Sequence, residues 1–356
     1  MVESSEQALL ALQQGRSLTD EMRSALIARA LANKQQACAF GITADNAKAT
    51  IEQRSRWFQA VYPKLSEFCC SNLGWKTCPI ELLWDLWLPL ALQIAHWREW
   101  LDRPLIQGIL GGQGTGKTTL SRILSQILPQ LGWRVCSLSI DDLYKTYAER
   151  QHLQQSDPRW RWRGPPGTHD VALGLETLRQ LRQAEPQPIM LPRFDKSLWN
   201  GAGDRTDPEA VQNVDIVLFE GWFVGVRPID PAQFETAPPP IVTSADRAFA
   251  REVNDRLQSY LPLWDQIDRL IVLCPTDYRL SQQWRRQAEQ QMIASGKSGM
   301  TDEQVNEFVE YFWRSLHPEL FISPLLHDPQ TDLVIEINAN HQPERVYCPG
   351  AGCPSV

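Results

Sequence analysis

Hydrophobic and polar positions divide the chain into two parts with different periods. Through the first hundred residues the spacing is helical, with no strand-like run. Met22, Leu26, Ile27, Ala30 and Leu31 recur at three- and four-residue intervals, and Ile51, Phe58, Val61, Leu65 and Phe68 form a second stripe. Pro79 suits the first turn of a further helix, to which Trp84, Trp87, Trp97 and Trp100 give a heavily aromatic face. Large aromatics mostly serve burial, so this face is expected to pack against the region that follows. Asp102-Arg103-Pro104 then breaks the helix.

From Leu105 onward strand and helix patterns alternate. Short apolar runs at 105–110, 135–140, 189–191, 215–219, 270–274 and 333–337 read as strands. Helical spacing follows at 120–128, 171–184, 248–260 and 277–294, and Thr301 with Gln304 makes a capping box ahead of Val305, Phe308, Val309 and Phe312. Such alternation predicts an α/β fold with a mainly parallel sheet covered by helices on both faces, preceded by an all-helical N-terminal region. The corresponding division is a helical region at 1–103, an α/β domain at 104–345 and a tail at 346–356.

Between the first strand and the first helix of the second part lies Gly111-Gly112-Gln113-Gly114-Thr115-Gly116-Lys117-Thr118, a full match to G-x-x-x-x-G-K-[ST] in the strand-loop-helix context that the motif requires. Glycines let the backbone turn tightly and aim successive N–H groups at phosphate oxygens, and the helix that starts there adds its positive end. Residues 111–119, Thr119 included, are therefore expected to cradle a nucleoside triphosphate. Lys117 would reach the β- and γ-phosphates, and the Thr118 hydroxyl would ligate Mg²⁺. A dinucleotide fingerprint is excluded, because it would need glycine at Lys117. A GTPase switch is disfavoured too. Asn33-Lys34 lacks the following Asp at position 36 and precedes the loop, and no glycine has Asp three positions earlier.

Composition narrows the partners. Lys plus Arg total 35 against 42 Asp plus Glu, a net charge of −7, which argues against an extended nucleic-acid-binding face. The eight cysteines are not spaced in C-x-x-C pairs and suit reduced cytosolic thiols. Cys348 and Cys353 in the tail read as a redox pair or, more simply, as two idle thiols. No signal or transit pattern opens the chain, and the apolar window from Ile80 to Leu101 is interrupted by charges and Pro89. A cytoplasmic protein acting on a small molecule, away from membranes, is expected.

In a parallel sheet, ligands bind beyond the carboxyl ends of the strands. The run 135–140 ends in Asp141-Asp142-Leu143-Tyr144, and 215–219 ends in Glu220-Gly221-Trp222. Two acids beside a phosphate loop suit phosphoryl transfer, one near Mg²⁺ and one accepting the proton of an attacking hydroxyl. Acids at strand ends also cap helices, which is the plainer reading for Asp142. Next, Arg163-Gly164-Pro165-Pro166-Gly167-Thr168-His169-Asp170 precedes a helix, either as a rigid ligand loop or as a helix start. Arg193, Lys196 and Arg205 lie in a second polar stretch and could bind a carboxylate, a match for the arginine fork. Arg279, Arg285 and Arg286 sit on one predicted helix, either as a lid over the transferring phosphate or as a solvated face.

Taken together, Ser139 to Tyr144, Arg163 to Asp170, Pro192-Arg193-Phe194-Asp195-Lys196-Ser197, Gly203-Asp204-Arg205 and Phe219 to Trp222 resemble plant-type D-glycerate 3-kinase, the kinase of photorespiratory salvage. The similarity covers roughly residues 105–340, although Leu143 stands where relatives often have Phe. It implies the P-loop kinase fold and ATP-dependent phosphorylation of D-glycerate to 3-phosphoglycerate. Uridine kinase, phosphoribulokinase and pantothenate kinase share that fold, so a nucleoside, pantothenate or sugar-phosphate acceptor is the alternative. The resemblance further implies Asp141 as catalytic base with Lys117, Glu220 near the metal with Thr118, and Tyr144, Arg163, His169, Asp170, Arg193 and Lys196 around the acceptor. Arg279, Arg285 and Arg286 would then supply the lid.

Overall fold

The computed structural model describes residues 2–183, 187–294, 296 and 299–350. Six strands form one sheet: β1 (Leu105–Gly111), β2 (Val135–Ser139), β5 (Ile216–Gly221), β6 (Arg269–Pro275), β7 (Leu333–Ile337) and β8 (Pro343–Tyr347). Their order is β2-β5-β1-β6-β7-β8, parallel throughout except for β8, which returns antiparallel to β7. β3 (Ile189–Asp195) and β4 (Asp204–Val211) stand apart as an antiparallel hairpin. The chain is thus α/β with a mainly parallel sheet, as the alternation implied.

Two features differ from the pattern reading. The run at 189–191 belongs to the hairpin, not to the main sheet, because its partner β4 is almost wholly solvent-facing and carries no apolar signal. The final strand β8, with the sequence Pro-Glu-Arg-Val-Tyr, contributes only Val346 to the core and so leaves little periodicity to read. The capping box at Thr301 and Gln304 is present, with the Thr301 hydroxyl accepting from the Gln304 N–H and opening the helix Asp302–Ser315.

Side chains alternate across a strand, and this puts two cores on the two faces of the sheet. Leu105 and Ile109 of β1, Ile216 and Leu218 of β5, and Ile271 and Leu273 of β6 face the N-terminal helices. Ile106 and Leu110, Val217 and Phe219, and Leu270 and Val272 face the other way, onto Phe223, Tyr260 and Trp264. The first core is continuous with Leu9, Leu26, Ile51, Phe58 and Leu65, so the first hundred residues are one wall of the sheet. Trp84 and Trp87 are buried there, in a π-helical turn (Leu83–Trp87) that leads into the helix Leu88–Glu99. Trp97 is half-buried, but Trp100, at the end of the run, is 78% exposed. The aromatic face is therefore shorter than its spacing suggests. Among the described residues no helix is long and apolar enough to cross a membrane.

At the amino end of the sheet, Asp268 ties three segments together. Its carboxylate accepts from Arg103 at 2.7 and 3.0 Å, from the Ile106 N–H at 2.9 Å and from Arg182 at 3.0 Å. Removing the acid of this part-buried network leaves two guanidinium groups and a backbone N–H without their acceptor. We expect Asp268→Ala to lower stability by about 3 kcal/mol, read as a shift of the urea midpoint; an unchanged midpoint would contradict the assignment.

Candidate active site

The phosphate loop runs from the end of β1 into the helix Lys117–Ile127. Gly114 and Gly116 adopt φ of +80° and +85°, a region that side chains with a Cβ rarely enter. A Cβ on Gly114 would also meet the Trp284 ring at 2.8 Å. Thr115 closes the turn internally, its hydroxyl donating to the Gly112 carbonyl at 2.9 Å. The loop is held from outside as well, since His341 Nδ1 lies 3.1 Å from the Gly114 carbonyl oxygen and stacks on Trp284. It is preformed for an anion, with its N–H groups at a helix start.

Beside it, at the carboxyl end of β5, Glu220 is buried. One of its oxygens accepts from the Thr118 hydroxyl at 3.1 Å, and the other, 4.0 Å from Lys117 Nζ, has no hydrogen-bond partner. The Glu220 carboxylate, one of its oxygens unpartnered, and the Thr118 hydroxyl are oxygen ligands of the kind that fit Mg²⁺ carried in by a nucleotide. Among the described residues no cluster of three or more His, Cys, Asp or Glu could hold a metal without such phosphates.

At the end of β2, a 3₁₀ turn (Ile140–Leu143) directs Asp141 and Asp142 to different tasks. Asp142 caps that turn, accepting from the Ser139 N–H at 3.0 Å, and pairs with Arg193 at 3.0 Å. Asp141 instead lines a cavity of 400 Å³ together with Lys117, Tyr144, Arg163 and Lys196. Lys196 Nζ lies 2.6 Å from Asp141 Oδ2. Burial alone would raise the Asp141 carboxyl, but Lys196, Lys117 and the Tyr144 hydroxyl together hold it below the ordinary carboxylate range. The loop 163–170 is laced to this segment by the Lys145 N–H to the Thr168 carbonyl at 3.0 Å and the Asp170 N–H to the Leu143 carbonyl at 2.7 Å.

The other residues expected around the acceptor are sorted by their contacts. Tyr144 lies on the cavity wall, stacked on His169 with ring centroids 4.5 Å apart. His169 itself sits behind that wall, 3% exposed, with Nδ1 2.8 Å from the Tyr260 hydroxyl. Burial drives its pKa down to about 3, so it stays neutral and cannot balance a carboxylate. Asp170 caps the helix Val171–Arg182 and pairs with Arg205 at 2.8 Å, and Arg205 also donates to the Tyr144 carbonyl at 3.0 Å. Arg193 is enclosed by Asp142, Glu209 at 2.7 Å and the Ser137 carbonyl at 3.1 Å. Arg193, Asp170 and Arg205 thus hold the hairpin and the 163–170 loop in place and do not line the cavity. Their donors and acceptors are spent on other groups of the chain, which the spacing of the residues could not show. Lys196 and Arg163 remain as the cations that face it, Arg163 being propped by the Gly201 and Ala202 carbonyls at 2.6 and 3.0 Å.

The three arginines of the predicted lid also separate. Arg285, on the helix Leu280–Ala294, lines the cavity and pairs with the buried Glu289, which in turn accepts from the Met300 N–H at 2.8 Å. Arg286 donates to Asn306 Oδ1 at 2.5 Å, tying that helix to Asp302–Ser315. Arg279 lies ahead of the helix, stacked over Tyr278 and turned toward Asp277 at 3.3 Å. Trp162, Trp222, Phe308 and Phe312 complete the cavity. Phe308 and Phe312 carried a helical stripe in the sequence that reads equally well as core, and Trp162 had no signal beyond its place next to Arg163. Cys353 lies outside the described residues, and Cys348 is half-buried with its sulfur 3.8 Å from the Ala39 carbonyl.

No family model matches the chain. D-glycerate 3-kinase, chloroplastic, of Arabidopsis thaliana is 33% identical over 254 residues, which are 67% of this chain and 54% of that protein's length. The uncharacterized kinase mug58 of Schizosaccharomyces pombe is 33% identical over 59% of this chain and 79% of its own. The solved structure of D-glycerate 3-kinase from Cryptococcus neoformans superposes with a TM-score of 0.64 at 32% identity, covering 72% of this chain and 96% of that one. With its phosphate loop, its strand-end acids and this degree of likeness, the chain belongs to the D-glycerate 3-kinase family of P-loop kinases.

Proposed function

We propose that the chain transfers the γ-phosphate of ATP to the primary hydroxyl of D-glycerate, giving 3-phosphoglycerate and ADP. The observation that carries this reading is the shared cavity of Lys117 and Asp141, with Lys196 and Arg163 on the acceptor side of the carboxylate. A three-carbon acid offers what that wall can recognise, a hydroxyl for Asp141 and a carboxylate for two cations. The family likeness to proteins named for this activity supports the same acceptor.

In the proposed mechanism the N–H groups of residues 112–119 and Lys117 hold the ATP phosphates. Thr118 and Glu220 would hold Mg²⁺, which when bound neutralises phosphate charge. Asp141 orients the acceptor hydroxyl and takes its proton. A carboxylate of depressed pKa is a weak base, but phosphoryl transfer goes through a loose transition state in which late proton removal suffices. The glycerate carboxylate competes with Asp141 for Lys196, so substrate arrival loosens the pair that suppresses the basicity of Asp141. Arg285, held by Glu289, is placed to spread the charge of the moving phosphoryl group.

The first test is an acceptor panel with an ADP-coupled readout: D-glycerate, uridine, pantothenate and ribulose 5-phosphate. Turnover with D-glycerate and a 3-phosphorylated product is expected; preference for another acceptor would overturn the reading. Asp141→Asn should reduce kcat by about 10²–10⁴ with little change in the ATP KM, and near-normal turnover would remove the base from the mechanism. Lys196→Met should raise the glycerate KM about tenfold or more and leave the ATP KM near its starting value. The same change removes the main cation that lowers the Asp141 pKa, so the acid limb of the kcat/KM profile should move to higher pH. A limb that stays put or moves down would contradict the coupling. Arg193→Met, by contrast, should act on stability, visible as a lower Tm, and not selectively on the glycerate KM.

A further inference from the structure

A second cleft, of 330 Å³, opens among the N-terminal helices and shares no lining residue with the catalytic cavity. At its inner side sits Arg54, on the helix Ala47–Asn72, with only 4% of its surface exposed. Its Nε has no hydrogen-bond partner, and its one hydrogen bond among the described residues is a long contact of 3.5 Å from Nη1 to the Trp84 carbonyl. The guanidinium lies 5.4 Å from the centre of the Trp84 ring. No carboxylate among the described residues is within ion-pairing distance of it. Asp85, the acid that acts on it through space, is already engaged by Arg29 at 2.6 Å. Burial draws the Arg54 pKa down to about 10, which still leaves it charged at neutral pH.

Arg182 and Arg205, both more exposed than Arg54, are each matched to an acid, Asp268 and Asp170. A buried guanidinium without a counter-charge is unfavourable unless something outside the chain supplies one. The cleft can admit it. Thr50 and Gln93 add a hydroxyl and an amide beside Arg54, while Trp57 and Trp133 offer flat apolar walls. Glu99, at the rim with His96 3.8 Å away, disfavours a second negative group on the same ligand.

We propose that this cleft is a binding site for a small organic anion, a carboxylate or phosphate ester on an apolar or planar body, with Arg54 as its counter-ion. The cleft also touches the catalytic half. Trp133 stands two residues before β2, which leads to Asp141, and it is covered by Arg98, itself 3.7 Å from Asp215 at the foot of β5. The assignment stands on geometry in the helical region and does not depend on the identity of the phosphoryl acceptor.

The test is calorimetric titration of the full chain, its phosphate loop filled by AMP-PNP and magnesium, with benzoate, phenyl phosphate and inorganic phosphate, using benzyl alcohol as the neutral control. Benzoate or phenyl phosphate should bind the unaltered protein more tightly than benzyl alcohol does. Arg54→Gln should weaken that binding about tenfold or more while turnover is retained. Gln93→Trp, which fills the cleft and leaves Arg54 in place, should weaken it as well and covers the case in which Arg54→Gln does not fold. Preference for phenyl phosphate over benzoate assigns a phosphate ligand, and the reverse a carboxylate. Equal affinity in the variants, equal affinity for benzyl alcohol, or no anion binding tighter than about 1 mM would overturn the proposal.

Discussion

A row of charges of alternating sign runs from the carboxyl ends of three neighbouring strands onto the β3–β4 hairpin: Glu220, Lys117, Asp141, Lys196. Each is placed by a different segment, β5, the phosphate loop after β1, the turn after β2, and the β3–β4 hairpin. The links are the Lys117–Glu220 approach at 4.0 Å, the field of Lys117 at Asp141 and the Asp141–Lys196 pair at 2.6 Å. The cations on its two sides hold the Asp141 carboxyl below the ordinary carboxylate range despite its burial. The parallel order β2-β5-β1 is what brings these strand ends side by side.

Much of this was legible in the sequence, because it rests on local chemistry. The phosphate loop needs its glycines and lysine in fixed order, and strand-end acids follow directly from where the apolar runs stop. The parallel sheet was readable for the same reason, since β1, β5 and β6 are buried on both faces and appear as apolar runs, interrupted only by Gln107 in β1. What stayed hidden depends on pairing at a distance. Arg193 and Lys196 lie three residues apart on the same strand and turn, yet one is enclosed by Asp142 and Glu209 while the other reaches Asp141. Charge counting cannot separate them, because the deciding partners lie 16 to 55 residues away along the chain. His169 is a similar case. Its sequence context suggested a ligand, but burial against Tyr144 and Tyr260 makes it a neutral support for the cavity wall.

The N-terminal helices are readable as helices, but their placement is not. Only the structure shows Ile51, Phe58 and Leu65 in one core with Ile109 and Leu218 of the sheet. The same packing forms the cleft around Arg54, since Trp57 comes from one helix and Trp133 from the approach to β2. A stripe of apolar residues specifies that a face is buried, not against what. The lid region shows the converse. Its three arginines share a stretch of sequence and end in three environments, because only Arg285 projects to the cavity side.

The central claim is spatial, and the most direct measurement is a crystal structure of the chain with magnesium, AMP-PNP and D-glycerate. The account predicts the primary hydroxyl of glycerate between the Asp141 carboxylate and the γ-phosphorus, with the glycerate carboxylate on Lys196 and Arg163. Glycerate bound with its carboxylate toward Lys117, or lying beyond reach of Asp141, would contradict it.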